Sequence, residues 1–113
     1  MTAAIVIAGI FNALSFNFTN MMLIGLLDDE DDETELLQAA FDDAQITAEI
    51  HSFSDFFSLQ IYLHACHAIP DLIFMDINLS TENGIQCLRR LRTSERGRSI
   101  PVIMCSTSQS LPN

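Results

Sequence analysis

Short apolar runs alternate with segments of helical periodicity from Met22 onward, and this alternation restricts the possible folds more than any other feature. The runs at 22–27, 72–75 and 101–105 are continuously apolar, and 46–53 holds several β-branched residues. Continuous apolar strands that alternate with helices are typical of a parallel sheet covered on both faces. The sequence therefore predicts an α/β fold in the order β-α-β-α-β-α-β, with right-handed crossovers.

Three helices are predicted between these strands. The first covers 31–43, with acids in its first turn, and the second runs from an N-cap at Ser54 to about His67. The third follows the turn dipeptide Asn83-Gly84 and carries arginines near its end. The apolar positions expected to face the sheet recur every three or four residues. They are Leu36, Leu37, Ala40 and Phe41 in the first helix, Leu59, Leu63 and Cys66 in the second, and Ile85, Leu88 and Leu91 in the third.

Charge and cysteine content exclude several classes of protein. The 113 residues include 15 Asp plus Glu, five Arg and no Lys, for a formal net charge of −10. Such a chain repels nucleic-acid phosphates and anionic membrane surfaces, so neither is an expected partner. Cys66, Cys87 and Cys105 are irregularly spaced and form no CxxC pair, which predicts reduced thiols and a cytoplasmic protein.

Residues 1–20 form an apolar leader without a charged side chain. Their longest apolar run, residues 3–11, is too short to span a bilayer, and no basic segment precedes it as in a signal peptide. The leader either packs on the domain, or the natural start is Met21 or Met22. We therefore expect one domain over residues 21–113.

Polar residues follow three of the predicted strands. Asp28 and Asp29 follow the first strand, Asp76 the third, and Ser106 the fourth. The carboxyl ends of parallel strands meet at one edge of the sheet, where such folds place their sites. Carboxylates held close together favour a hard divalent cation such as Mg²⁺, which could assist phosphoryl transfer to one of them. The remaining acids up to Glu35 are interpreted as the solvated start of a helix.

Three segments resemble the receiver domain of two-component response regulators, a family with a flavodoxin-like doubly wound sheet. They are LLDDEDD at 26–32, PDLIFMDINLSTENG at 70–84 and IPVIMCSTS at 100–108, so the resemblance extends from Met22 to about Ser108. It implies a signalling module rather than an enzyme. A histidine kinase or histidine phosphotransfer protein would donate the phosphoryl group, and an unidentified protein would recognise the product.

The resemblance also implies roles for individual residues. Asp76 would be the phospho-acceptor and Ser106 the switch hydroxyl that binds the phosphoryl oxygen. Asp29 would bind Mg²⁺ directly and Asp28 largely through water. Asn78 would offer the metal its backbone carbonyl.

The chain departs from the family pattern in two respects. Ser80 stands where the family usually has Pro, which predicts a less rigid loop after the acceptor. The family's invariant Lys and its last helix, strand and helix have no counterpart here. We therefore expect either a longer protein that continues beyond Asn113 or a truncated product. A chain ending there would leave the fourth strand as an open edge, through which it could self-associate.

Two alternatives remain open at this point. A degenerate receiver that only binds a partner would be compatible with the absence of Lys. An Mg²⁺-dependent phosphohydrolase with an Asp nucleophile commonly carries a second Asp two residues later as its acid/base. Asn78 occupies that position and cannot perform this role.

Overall fold

Four strands and three helices alternate along the part of the chain that the computed structural model describes, namely residues 21–30, 32–65, 68–80 and 82–105. The strands are β1 (Met22–Leu27), β2 (Ala48–Phe53), β3 (Leu72–Asp76) and β4 (Val102–Cys105). The helices are α1 (Glu33–Asp43), α2 (Phe56–Ala65) and α3 (Gly84–Thr93). The apolar leader, Cys66, His67 and Ser106, about which the sequence makes predictions, lie outside the described residues.

All pairings within the sheet are parallel, in the order β2-β1-β3-β4. β1 lies in the interior, paired along its length with β2 and through its last four residues with β3. A helix connects each strand to the next, as parallel neighbours require. The predicted α/β class and its flavodoxin-like arrangement are confirmed.

The sheet separates two apolar cores, because successive side chains of a strand point to opposite faces. On one face α1 packs over β1, and the ring of Phe41 meets that of Phe74 edge to face, with 6.2 Å between centroids. On the other face Leu59 of α2 and Leu91 of α3 pack over Ile73 of β3. Both faces of β3 are therefore covered, which explains why all five of its residues are buried.

In α1 three of the four residues expected to face the sheet are buried, namely Leu37, Ala40 and Phe41, whereas the buried face of α3 is rotated about the helix axis from the predicted one. Leu36 is 41% exposed while Leu37 is buried, and Ile85 is 38% exposed while Cys87 is buried. In α3 the cause is Gly84. Its backbone approaches the end of β3 so closely that it determines which side of the helix faces the sheet. The stripe through Gly84, Cys87 and Leu91 is adjacent to the predicted one, and periodicity alone does not choose between them.

Several element ends also shift by one or two residues. Asp55, not Ser54, caps α2, since its Oδ1 accepts a hydrogen bond from the N–H of Ser58 at 2.8 Å. β2 begins at Ala48 rather than residue 46, because the turn after α1 passes through Gln45 at a φ of 62°. The N–H of Ile46 then donates to the carbonyl of Phe41, which keeps Ile46 under α1 instead of in the sheet.

β4 is partly covered, and all four of its residues are half-buried. Within the described residues it pairs only with β3. The guanidinium of Arg92, near the end of α3, donates to the carbonyls of Gly97, Arg98 and Ile100 and so holds the loop that leads into β4. Among the described helices, each is too short or too polar to cross a membrane.

Candidate functional site

The carboxyl ends of β1 and β3 bring three of the predicted site residues together. Asp28 and Asp29 follow β1, and Asp76 is the last residue of β3. Each carboxylate has an oxygen within 4.8 Å of an oxygen from each of the other two. Asp28 and Asp76 are buried, whereas Asp29 is half-buried at the rim. The structure thus forms the acidic cluster that the strand polarity predicts.

A backbone N–H group binds each of these three carboxylates. Asp28 accepts from the N–H of Glu30 at 2.9 Å, and Asp76 accepts from the N–H of Asn78 at 3.0 Å. Both bonds span two residues and hold the side chain in a local turn. Asp29 instead accepts from the N–H of Ser80 at 2.6 Å, across 51 positions of sequence. This third bond connects the loop after β1 to the loop after β3.

Burial and neighbouring acids make two of the carboxylates weaker acids than usual. Burial, reinforced by the charges of Asp76 and nearby glutamates, raises the pKa of Asp28 to about 6. Burial, with a contribution from the charge of Asp29, also raises the pKa of Asp76. Hydrogen bonds from the hydroxyl and the N–H of Ser80 lower the pKa of Asp29. The acidic cluster therefore combines one stabilised, half-buried carboxylate with two buried carboxylates that are costly to ionise.

Of the other two predicted site residues, Asn78 and Ser106, the structure describes Asn78. Asn78 lies beside the cluster, where its N–H binds Asp76, and an isolated bridge pairs it with Asn83 at the start of α3. Its predicted carbonyl contact with a metal stays a prediction. Ser106 lies outside the described residues. It follows Cys105, whose carbonyl accepts from the N–H of Ile77 at 2.9 Å, directly after Asp76.

Two further side chains, Glu33 and Cys105, lie near the acidic cluster, and the sequence analysis did not assign them to the site. Burial first, then the charges of Asp32, Glu30 and Asp76, raise the pKa of Glu33, which was interpreted as part of a solvated helix start. Burial and the charges of Asp76, Asp28 and Glu33 raise the pKa of Cys105 to about 11. Both residues therefore lie within electrostatic reach of the cluster. No motif indicates this, because it depends on how α1 and β4 meet the strand ends.

Gly84 sets the distance between the end of β3 and α3. Its N–H donates to the carbonyl of Ile77 at 2.8 Å. A Cβ at this position would overlap the carbonyl oxygen of Asp76 and lie 2.8 Å from Cα of Ile77. A side chain would therefore displace the end of β3 together with Asp76. Asn83 begins α3 here, and its side chain accepts from the N–H of Ile85 at 2.7 Å.

The donor set fits a small, hard divalent cation. Three carboxylates within 4.8 Å of one another offer only oxygen ligands, and Mg²⁺ prefers one or two carboxylates completed by water. Positive charge would offset both the burial and the mutual repulsion that raise the pKa values of Asp28 and Asp76. Asp28, Asp29 and Asp76 are the residues that would hold the ion.

The sequence matches a family model described as the response regulator receiver domain over residues 24–113. It is also similar to the probable methanogenesis regulatory protein FilR2 of Methanothrix harundinacea (strain 6Ac), with 28% identity over 92 residues. That match covers 78% of this chain and 59% of FilR2, so the chain spans well under the full length of this relative.

Solved structures of response regulators share the fold. The phosphorylated cyanobacterial phytochrome response regulator RcpA superposes with a TM-score of 0.68 at 27% identity, over 80% of this chain and 68% of its own. The bacteriophytochrome response regulator AtBRR superposes with a TM-score of 0.66 at 25% identity, over 80% of this chain and 69% of its own. The predicted family resemblance is confirmed.

Proposed function

Because the chain belongs to the response regulator receiver domain family of two-component signalling proteins, we propose that Asp76 accepts a phosphoryl group from a phosphohistidine. The donor would be a histidine kinase or a histidine phosphotransfer protein. The observation that carries the proposal is the position of Asp76. It is a buried carboxylate at the end of a central strand, with the carboxylates of Asp28 and Asp29 beside it. RcpA, a similar protein, has been solved in a phosphorylated form.

The transfer requires one bond to form and one to break. A carboxylate oxygen of Asp76 attacks phosphorus, the P–N bond to the donor imidazole breaks, and the leaving nitrogen takes up a proton. The N–H of Asn78 holds Oδ1 of Asp76 at 3.0 Å and so restricts rotation of the nucleophile. Fixing one reactant in this way lowers the entropic part of the barrier. The product is an aspartyl phosphate and a neutral imidazole.

The same three carboxylates would hold Mg²⁺. Asp29 would bind it directly and Asp28 largely through water, with the carbonyl of Asn78 as a further ligand. When bound, the ion supplies positive charge that offsets the charge developing on the transferred group. The attacking side chain must be ionised, and the raised pKa of Asp76 shows that its charged form is disfavoured without a counter-charge. A bound cation would lower the pKa of Asp76 and so favour the ionised form that attacks phosphorus.

A downstream protein would recognise the phosphorylated state through Ser106 and a surface near it. In the proposed switch the Ser106 hydroxyl binds a phosphoryl oxygen, and this shifts the population of conformations that a downstream protein recognises. The net charge of −10 makes that partner a protein rather than nucleic acid or an anionic membrane. The proposed place of action is the cytoplasm.

A second copy of the chain is a further proposed partner. Ile103 and Cys105 of β4 are only partly covered on the α1 face, and Val102 and Met104 are partly covered on the other face. Within the described residues the strand has one hydrogen-bonded neighbour, β3. Pairing between two β4 strands would cover an edge of the kind that promotes association.

The experiment that tests the acceptor role uses a small-molecule phosphodonor. Incubated with acetyl phosphate and Mg²⁺, the full chain should gain the mass of one phosphoryl group, and EDTA should prevent the gain. Asp76→Asn should gain nothing, whereas Asp43→Asn, an exposed control on α1, should behave as wild type. Absence of any gain in the wild type would leave the degenerate, partner-binding receiver as the better description.

A further inference from the structure

The three carboxylates of the acidic cluster are not held in equivalent ways. Asp28 and Asp76 accept N–H groups two residues ahead, so each belongs to a turn that its own segment can form. Asp29 depends on the N–H of Ser80, which belongs to a different loop. The position of Asp29 relative to Asp76 is therefore set by a hydrogen bond between the loop after β1 and the loop after β3.

The two residues that precede Ser80 are themselves held in place. Leu79, the preceding residue, is buried in the core between the sheet and α2 and α3. Before it, Asn78 pairs with Asn83 and donates its N–H to Asp76. The N–H of Ser80 is thus presented to Asp29 from a loop that begins at Asp76. The backbone between Asp76 and Ser80 therefore connects the two carboxylates.

We propose that Ser80, which stands where the family usually has Pro, is the positioning residue of the cation site in this chain, and that its backbone N–H holds the carboxylate of Asp29 in the orientation that binds the ion. The bond occupies Oδ2, and a carboxylate with two oxygens retains acceptor capacity for a cation. Mutation of a group that orients a metal ligand in this way commonly lowers metal affinity about 10- to 100-fold. This inference rests on the proposed function, because it assumes that Asp29 is a ligand.

The chemistry of the contact separates the N–H from the side chain. Proline at position 80 would have neither an N–H nor a hydroxyl, whereas alanine would keep the N–H and lose only the hydroxyl. A role carried by the backbone therefore predicts that alanine preserves the site and proline does not. If the contact instead competed with the cation for Asp29, proline would tighten binding.

The test measures Mn²⁺ binding to the full chain by titration calorimetry. We expect Ser80→Pro to raise the dissociation constant about tenfold or more, and Ser80→Ala, which loses only the hydroxyl that also binds Asp29, to raise it much less. In an Asp29→Ala background, Ser80→Pro should have no further effect. If Ser80→Pro binds Mn²⁺ as well as or better than wild type, the inference is wrong. If wild type and Asp29→Ala bind equally, Asp29 is not a ligand, and both the metal assignment and this inference are wrong.

A second measurement covers the case in which Ser80→Pro does not fold. In metal-free protein with the natural Ser80, the amide proton of Ser80 should resonate downfield and be protected from exchange. Asp29→Ala should remove both properties, while Asp43→Ala should leave them unchanged. An amide that is insensitive to Asp29→Ala would show that the contact does not position this carboxylate, and would overturn the inference.

Discussion

A carboxylate oxygen of Glu82 accepts a hydrogen bond from the backbone N–H of Phe56 at 2.9 Å, so the loop after β3 caps the first turn of α2. Phe56 is fully buried, and the guanidinium of Arg90 lies 4.7 Å above its ring. Asp55 binds a second N–H of the same turn. The loop that follows Asp76 is thereby attached to α2 as well as to α3.

Removal of the Glu82 cap should destabilise the protein. Glu82→Ala leaves the N–H of Phe56 without this acceptor, and loss of such a cap costs about 1 kcal/mol. Glu82→Gln retains an acceptor oxygen and should cost less than half as much. Urea unfolding of both variants measures the difference, with Glu95→Ala as an exposed control. Equal stabilities for Glu82→Ala and Glu95→Ala would contradict the capping role.

The raised pKa of Asp28 predicts how stability depends on pH in metal-free protein. Because its pKa is about 6 in the folded state and 3.8 ordinarily, the folded state binds more protons between these values. The free energy of unfolding must therefore fall as pH rises from about 4 to about 6.5. A one-unit difference in pKa corresponds to about 1.4 kcal/mol, so Asp28 contributes a decrease of about 2 to 3 kcal/mol. Asp76 and Glu33, whose pKa values are also raised, add to the same decrease.

Asp28→Asn should reduce this dependence and stabilise the protein above pH 6.5 in EDTA. Asparagine keeps an oxygen that can accept the N–H of Glu30, so the local turn is retained. Denaturant unfolding from pH 4 to pH 8 measures the effect, with Glu95→Gln as an exposed control. A wild-type stability that increases over this range, or an Asp28→Asn variant with an unchanged slope, would show that the carboxyl titrates normally.

β4 is an edge strand of the sheet that the structure describes, and this predicts association that depends on protein concentration. Sedimentation analysis of the wild type should show dimers or larger species as concentration rises. Ile103→Lys places a charge on the partly covered face of β4 and should weaken this association. Ile61→Lys adds the same charge at a half-exposed apolar position on α2 and should not. A wild type that stays monomeric at every concentration would exclude the β4 interface.

The sequence predicts the parts of the fold that arise from local pattern. Apolar runs and helical spacing identify β1 to β4 and α1 to α3, and strand polarity brings Asp28, Asp29 and Asp76 to one edge. Periodicity does not determine which of two neighbouring apolar positions faces the sheet, so the exposure of Leu36 and Ile85 is not predictable in this way. That choice depends on how closely each helix approaches the sheet, as Gly84 does at the end of β3.

Contacts between distant loops are the other part that the sequence does not predict. Ser80 and Asp29 are 51 positions apart, and Glu82 and Phe56 are 26 apart. In each pair one partner is a backbone N–H, which every residue except proline carries, so residue type gives no signal for it. The substitution of Ser80 for the family's usual Pro is visible in the sequence, but its consequence, an N–H available to Asp29, requires the folded loop.

The most direct test of the central claim is to locate the phosphoryl group after labelling with acetyl phosphate and Mg²⁺. Borohydride converts an aspartyl phosphate to homoserine, and peptide mass spectrometry then identifies the modified position. We predict homoserine at position 76 alone, and none in Asp76→Asn or in EDTA. Homoserine at position 28 or 29 instead of 76, or label that survives Asp76→Asn, would contradict the assignment of Asp76 as the phospho-acceptor.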